Sequence, residues 1–134
     1  MAPKKILLAE DDSDDQRLFQ EFLKHRTDIV LMPIAENGVE LMEQLQPIRD
    51  KNQLPDLIIL DQNMPKRNGL QTLNLLKSHE RFANIPIAIY STYTDALLIE
   101  SCMTAGACAV LAKPITKAGY NQMIEECLQY VRQE

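Results

Sequence analysis

Four short stretches of this sequence hold residue types that can do chemistry together. They are the acids Glu10, Asp11 and Asp12, the single Asp61 that closes "DLIILD", the hydroxyls Ser91 and Thr92, and Lys113 followed by Pro114. Carboxylates crowded at one place cannot all stay ionised unless a cation neutralises them or their pKa values rise. Hard divalent ions with oxygen ligands are the usual remedy, and magnesium in particular takes one or two carboxylates, waters and a phosphate oxygen. Beside such an ion a carboxylate can attack phosphorus, and Asp61 would then carry an aspartyl phosphate. Lys113 offers a mobile point charge for a phosphoryl oxygen, and the Ser91 hydroxyl offers a further donor. Neither G-x-x-x-x-G-K-[ST] nor G-x-G-x-x-G occurs, so the phosphate is not held as part of a nucleotide.

These residues meet only if the elements before them deliver them to one edge. "KILLA" (Lys5 to Ala9) reads as a first strand, "DIVLMPI" (Asp28 to Ile34) as a second and "DLIIL" as a third. "IPIAIY" (Ile85 to Tyr90) and "CAVLA" (Cys108 to Ala112) supply the fourth and fifth. Between them lie amphipathic segments. Ser13 opens the first helix at a capping-box spacing from Gln16, with Leu18, Phe19, Phe22 and Leu23 as its stripe. Asn37 caps the second, Gly69 starts the third and Thr94 caps the fourth, which turns Leu98, Ile99, Cys102 and Met103 inward. The last begins near Thr116 and buries Tyr120, Ile124, Cys127, Leu128 and Val131. Asp14 and Asp15 read as solvated acids at the positive end of the first helix. His25 and His79 read as solvated surface residues.

Five strands each followed by a helix demand an α/β fold, a doubly wound parallel sheet with helices on both faces. In such sheets ligands gather at the carboxyl ends of the strands, near the switch in strand order. Every cluster named above stands just after a strand.

Length and composition narrow the classes further. A chain of 134 residues forms one domain with a single sizeable core. A net charge of -5 argues against a nucleic-acid partner, whose phosphates it would repel. The start "MAPKKILLAEDD" is too short in apolar residues for a signal peptide, and no stretch could span a membrane. Cys102, Cys108 and Cys127 are unclustered, which fits buried thiols in a reducing cytoplasm.

The acid pair Asp11-Asp12, the stretch "LDQNMPKRNG", Ser91 and Lys113-Pro114, in that order at the ends of strands one, three, four and five, resemble the receiver domain of two-component response regulators, the CheY-like family. The resemblance covers essentially the whole chain. It implies a (βα)5 flavodoxin-like sheet of order 2-1-3-4-5 and a single receiver domain over residues 1–134. It implies that a histidine kinase or phosphotransfer protein hands its phosphoryl group to Asp61. It implies Mg2+ held directly by Asp12 and Asp61, by Asp11 largely through water, and by the backbone carbonyl of Asn63. Lys113 is carried over on a Lys-Pro bond that the family usually holds cis. The switching face implied is helix four, strand five and helix five, which serves an unidentified downstream protein or a second copy of the chain. The loop "QPIRDKNQLPD" and the "EDDSDD" start also resemble stand-alone receivers partnered with phytochrome-type or other hybrid kinases.

Some positions depart from the family. Val110 stands where an aromatic often rotates inward with the Ser/Thr. Asn63 and Tyr93 occupy positions that tune water attack on the phospho-aspartate, and a bulky Tyr93 beside the site is expected to shield it. Two rival readings accompany the receiver. A Mg2+-dependent phosphohydrolase would share the aspartate nucleophile, yet it needs an acid two positions on, where this sequence has Asn63. A phosphate sink or pseudo-receiver would bind without signalling, and the intact acid, hydroxyl and lysine set argues against a dead site.

Overall fold

The computed structural model describes residues 2–132. In chain order the elements are β1 (Lys4–Ala9), α1 (Ser13–Leu23), β2 (Ile29–Leu31), α2 (Gly38–Leu45), β3 (Leu57–Asp61), α3 (Gly69–Lys77), β4 (Ile87–Ser91), α4 (Ala96–Thr104), β5 (Ala109–Ala112) and α5 (Lys117–Leu128). A 3-10 turn, Lys51–Gln53, leads into β3. The strands form one parallel sheet in the order β2-β1-β3-β4-β5.

Strand alternation divides the core in two. From β1 and β3, Leu7, Ala9, Ile58 and Leu60 face α2, α3 and α4, where they meet Leu41, Leu73, Leu76 and Cys102. Their neighbours Ile6, Leu8, Leu57 and Ile59 face α1 and α5, where they meet Phe19, Tyr120, Ile124 and Cys127. That two-sided burial is why β1 and β3 read as unbroken apolar runs. β2, at the sheet edge, is only three residues long and leaves Val30 47% exposed.

Side chains start the helices and local turns stop them. Asp12 rather than Ser13 caps α1, accepting from the N–H groups of Asp14 and Asp15, while Gln16 donates to the Glu10 carbonyl instead of closing a capping box. Asn37 caps α2 as the sequence predicts, and Thr116, where the last helix is expected to begin, caps α5. Asn68 and Gln71 form the reciprocal box ahead of α3, and Asp95, not Thr94, caps α4. α4 ends at Gly106, whose φ of 106° lies in the region that only glycine adopts without strain.

α4 also differs from its sequence reading in what it buries. Cys102 is its one fully buried residue; Leu97, Ile99 and Met103 are 74%, 40% and 47% exposed. The helix is apolar around most of its circumference, so its pattern does not mark which stripe faces the sheet.

Candidate functional site

The chain leaves β1 in two directions, toward β2 on one side and β3 on the other, so the crevice at the carboxyl ends of β1 and β3 is the switch point. Counting along β1, Glu10 falls on the same face as Ile6 and Leu8; along β3, Asp61 falls with Leu57 and Ile59. Both carboxylates are therefore delivered to the α1–α5 side of the crevice. Glu10 is fully buried and Asp61 is 2% exposed.

A third acid completes the cluster. Carboxylate oxygens of Glu10, Asp11 and Asp61 lie within 4.8 Å of one another, with Asp11 exposed at the rim. This trio differs by one position from the acid pair read in the sequence. Asp12 lies outside this trio: its Oδ1 accepts from Asp14 N at 2.8 Å and Asp15 N at 3.0 Å and so caps the start of α1.

Lys113 comes from the end of β5. Its backbone N–H continues the ladder to the Ser91 carbonyl at 2.9 Å, which aims its side chain across the sheet edge. The Nζ lies 3.0 Å from Glu10 Oε1, 2.8 Å from Asp15 Oδ2 and 3.3 Å from Asp61 Oδ2. Asp15 is thus not a solvated helix-start acid but a half-buried partner of Lys113. Burial alone would weaken the charge on Lys113. Hydrogen bonds from its ammonium to Asp15 and Glu10, with the charges of Glu10 and Asp61, more than compensate and hold it above the usual lysine range. The resemblance implied a cis Lys113–Pro114 bond, but no peptide bond among the described residues is cis, and Lys113 reaches the carboxylates from a trans linkage.

Asp61 itself is poised between charged and neutral. Burial, then the hydrogen bonding and charge of Glu10, push its carboxyl up to about 7; Lys113 and the Asn63 N–H pull the other way. That N–H donates to Asp61 Oδ1 at 3.2 Å and fixes the orientation of the carboxylate. Behind it Gly69 closes the loop. Its N–H donates to the Gln62 carbonyl at 3.1 Å, and a Cβ at Gly69 would stand 2.8 Å from the Asp61 carbonyl oxygen, so α3 packs this close only on glycine. Lys66 in the same loop holds a φ of 64°, an uncommon conformation for a side chain with a Cβ.

Ser91 stands at the same edge but is not turned into the cluster. On β4 it alternates with Tyr90, which puts it on the face of Ile87 and Ile89, and its hydroxyl donates to the Tyr93 carbonyl at 3.0 Å. Tyr93 is 72% exposed, so its ring stands in solvent rather than over Asp61 as the sequence led us to expect. His79, read as a surface residue, is half-buried and stacks on Phe82 with ring centroids 4.5 Å apart.

The site therefore gathers Glu10, Asp15 and Asp61 around one lysine, with Asp11 beside Glu10 and Asp61. Sequence reading had placed Glu10 after the first strand without giving it a role; counting alternate residues from Ile6 through Leu8 would have assigned it to this face. The excess of negative charge, the all-oxygen donor set and the raised carboxyl of Asp61 fit a hard divalent cation such as Mg2+.

Comparison with known proteins gives the family and the fold. The family model described as "Response regulator receiver domain" matches residues 6–125. The chemotaxis protein CheY1 of Helicobacter pylori is 32% identical over 127 residues, 95% of each chain. The response regulator Rcp1 of Synechocystis is 37% identical over 92 residues, 67% of this chain and 63% of Rcp1. The phosphorylated cyanobacterial phytochrome response regulator RcpA superposes with a TM-score of 0.81 at 28% identity, covering 97% of this chain and 94% of that one. This chain spans only 22% and 53% of the length of two other curated relatives. No helix among the described residues is long and apolar enough to cross a membrane.

Proposed function

Because this chain belongs to the response regulator receiver domain family of two-component systems, we propose that it accepts a phosphoryl group on Asp61 from a histidine kinase or phosphotransfer protein. An ionised Asp61 oxygen attacks phosphorus. The O–P bond forms as the P–N bond of the donor's phosphohistidine breaks, and the imidazole leaves with the bonding pair. Glu10, Asp11 and Asp61, with the Asn63 carbonyl, would hold Mg2+, which supplies charge neutralisation at the transferring oxygens when bound. Asp12 serves as the helix cap.

The chain's own residues do the rest. The Asn63 N–H holds one Asp61 oxygen so that the other is presented to the donor. Lys113 is already 3.3 Å from Asp61 and follows the new charge onto a phosphoryl oxygen, releasing Asp15. Ser91 exchanges the Tyr93 carbonyl for a phosphoryl oxygen, which draws the β4–α4 loop inward. The observation that supports this reading most is the lysine set among buried carboxylates at the switch point.

The same residues catalyse only the phosphorylation of Asp61 and the hydrolysis of its aspartyl phosphate, and residues 1–134 act as one receiver domain in the cytoplasm. Output runs through the face of α4, β5 and α5, where Leu97, Met103 and Ile115 are 74%, 47% and 89% exposed. A partner protein or a second copy of the chain covers that face after phosphorylation. Incubation with a histidine-phosphorylated phosphotransfer protein and Mg2+ tests the proposal. Loss of phosphate from the donor and its gain by this chain is expected; hydrolysis without any labelled intermediate on this chain would overturn it.

A further inference from the structure

One polar group at the sheet edge has no part in the reaction above. Tyr90 is fully buried at the fourth position of β4 and is the direct register partner of Asp61 in β3. Alternation places both side chains on the α1–α5 side. The ring is fixed from two directions: Phe19 packs edge-on with centroids 6.4 Å apart, and Lys113 Nζ lies 5.1 Å from the ring centre. Its hydroxyl donates to Glu10 Oε1.

That oxygen also lies 3.0 Å from Lys113 Nζ. Glu10 Oε1 is therefore engaged by two donors, one neutral and one cationic. The other oxygen, Oε2, accepts one backbone N–H, that of Asp12 at 3.1 Å, and keeps acceptor capacity. Two anchors on one oxygen set the rotation of the carboxylate about its last bond.

Resting on the reading of Glu10, Asp11 and Asp61 as cation ligands, we infer that Tyr90 is a positioning residue: its hydroxyl holds Glu10 Oε1 against Lys113 and so presents Oε2 to a divalent cation. Groups that orient metal-binding side chains in this way typically change metal affinity by about 10–100-fold when removed. Tyr90 also gives Glu10 Oε1 a second donor beside Lys113, leaving the ammonium free to move toward a phosphoryl oxygen. The simpler alternative is that Glu10 merely satisfies a buried phenol, in which case the hydroxyl has no bearing on cation binding.

Mg2+ titration of the full chain by calorimetry separates the two. Tyr90→Phe keeps the ring and its packing, and it is expected to bind Mg2+ about tenfold more weakly. In a Glu10→Gln background the same change is expected to add less than about twofold, because a residue acting through Glu10 has nothing left to orient. The chain has four tyrosines and no tryptophan, so Mg2+ should also produce a tyrosine difference spectrum that survives Tyr130→Phe and disappears in Tyr90→Phe. Unchanged Mg2+ affinity in Tyr90→Phe, or equal losses in both backgrounds, would overturn the inference while leaving the site reading intact. So would a wild-type chain that binds Mg2+ without perturbing any tyrosine, an outcome that does not depend on the variant folding. A wild-type chain that binds no Mg2+ would instead overturn the site reading beneath it.

Discussion

Replacing Asp61 by Asn should make the cation-free protein more stable at pH 8, although it removes the proposed phosphorylation site. Asp61 is 2% exposed, and its carboxyl is pushed up to about 7 from 3.8, first by burial and then by Glu10. Between those pH values the folded chain holds a proton that the unfolded chain has released. Stability therefore falls as pH rises from about 4 to about 7, and it stays low above that. A separation of about three pH units, at 1.36 kcal/mol each, sets a ceiling of about 4 kcal/mol. Asn forfeits the attraction to Lys113, but Lys113 keeps Glu10 and Asp15, so a net gain of about 2 kcal/mol is expected. Urea titrations in EDTA from pH 4 to pH 8 measure it. The gap between variant and wild type should be largest at pH 8 and close toward pH 4. Saturating Mg2+ should narrow it at pH 8 by stabilising the wild type more. An Asn variant no more stable than wild type at pH 8, or a gap that ignores pH, would show that Asp61 is not held under electrostatic stress.

Other substitutions probe the remaining parts. Lys113→Met strips the partner from three carboxylates and should cost about 3 kcal/mol in EDTA at pH 7.5, with part of the loss recovered by Mg2+ in the same urea assay. Asp12→Ala should cost about 1 kcal/mol through the lost α1 cap yet leave Mg2+ affinity within about twofold, whereas Asp11→Asn should weaken Mg2+ by more than about tenfold with little change in stability. Calorimetry and urea titration of both variants check that contrast. Lys66→Asn, at a φ of 64° that Asn tolerates better, should stabilise by about 0.5 kcal/mol and raise Tm by about 2 °C in a calorimetric scan.

How much of this was legible in the sequence depended on the range of the interaction. The strands and their order along the chain stood out because a buried parallel strand is a continuous apolar run, as in "LIIL" before Asp61. Asn37 was identifiable as a cap because the feature is local, and the same local rule failed where Asp12 and Asp95 stood beside Ser13 and Thr94. Three consecutive acids hid which one was the cap and which pair faced the crevice. Residue type does not decide that; strand parity does, and it selects Glu10. Parity likewise explains Ser91, which sits at the right edge on the other face. The partners of Lys113 and Tyr90 were beyond any local signal, since Asp15 and Glu10 lie 98 and 80 residues away in sequence. Tyr90 inside "IAIY" reads as one more core residue until the fold supplies a carboxylate for its hydroxyl.

The most direct test of the central claim is to incubate the full chain with acetyl phosphate and Mg2+, then determine intact mass and map the modified peptide. One phosphoryl group on the peptide carrying Asp61, absent without Mg2+ and absent in Asp61→Asn, is the expected result. No adduct on the wild type, or an adduct that persists in Asp61→Asn, would contradict it.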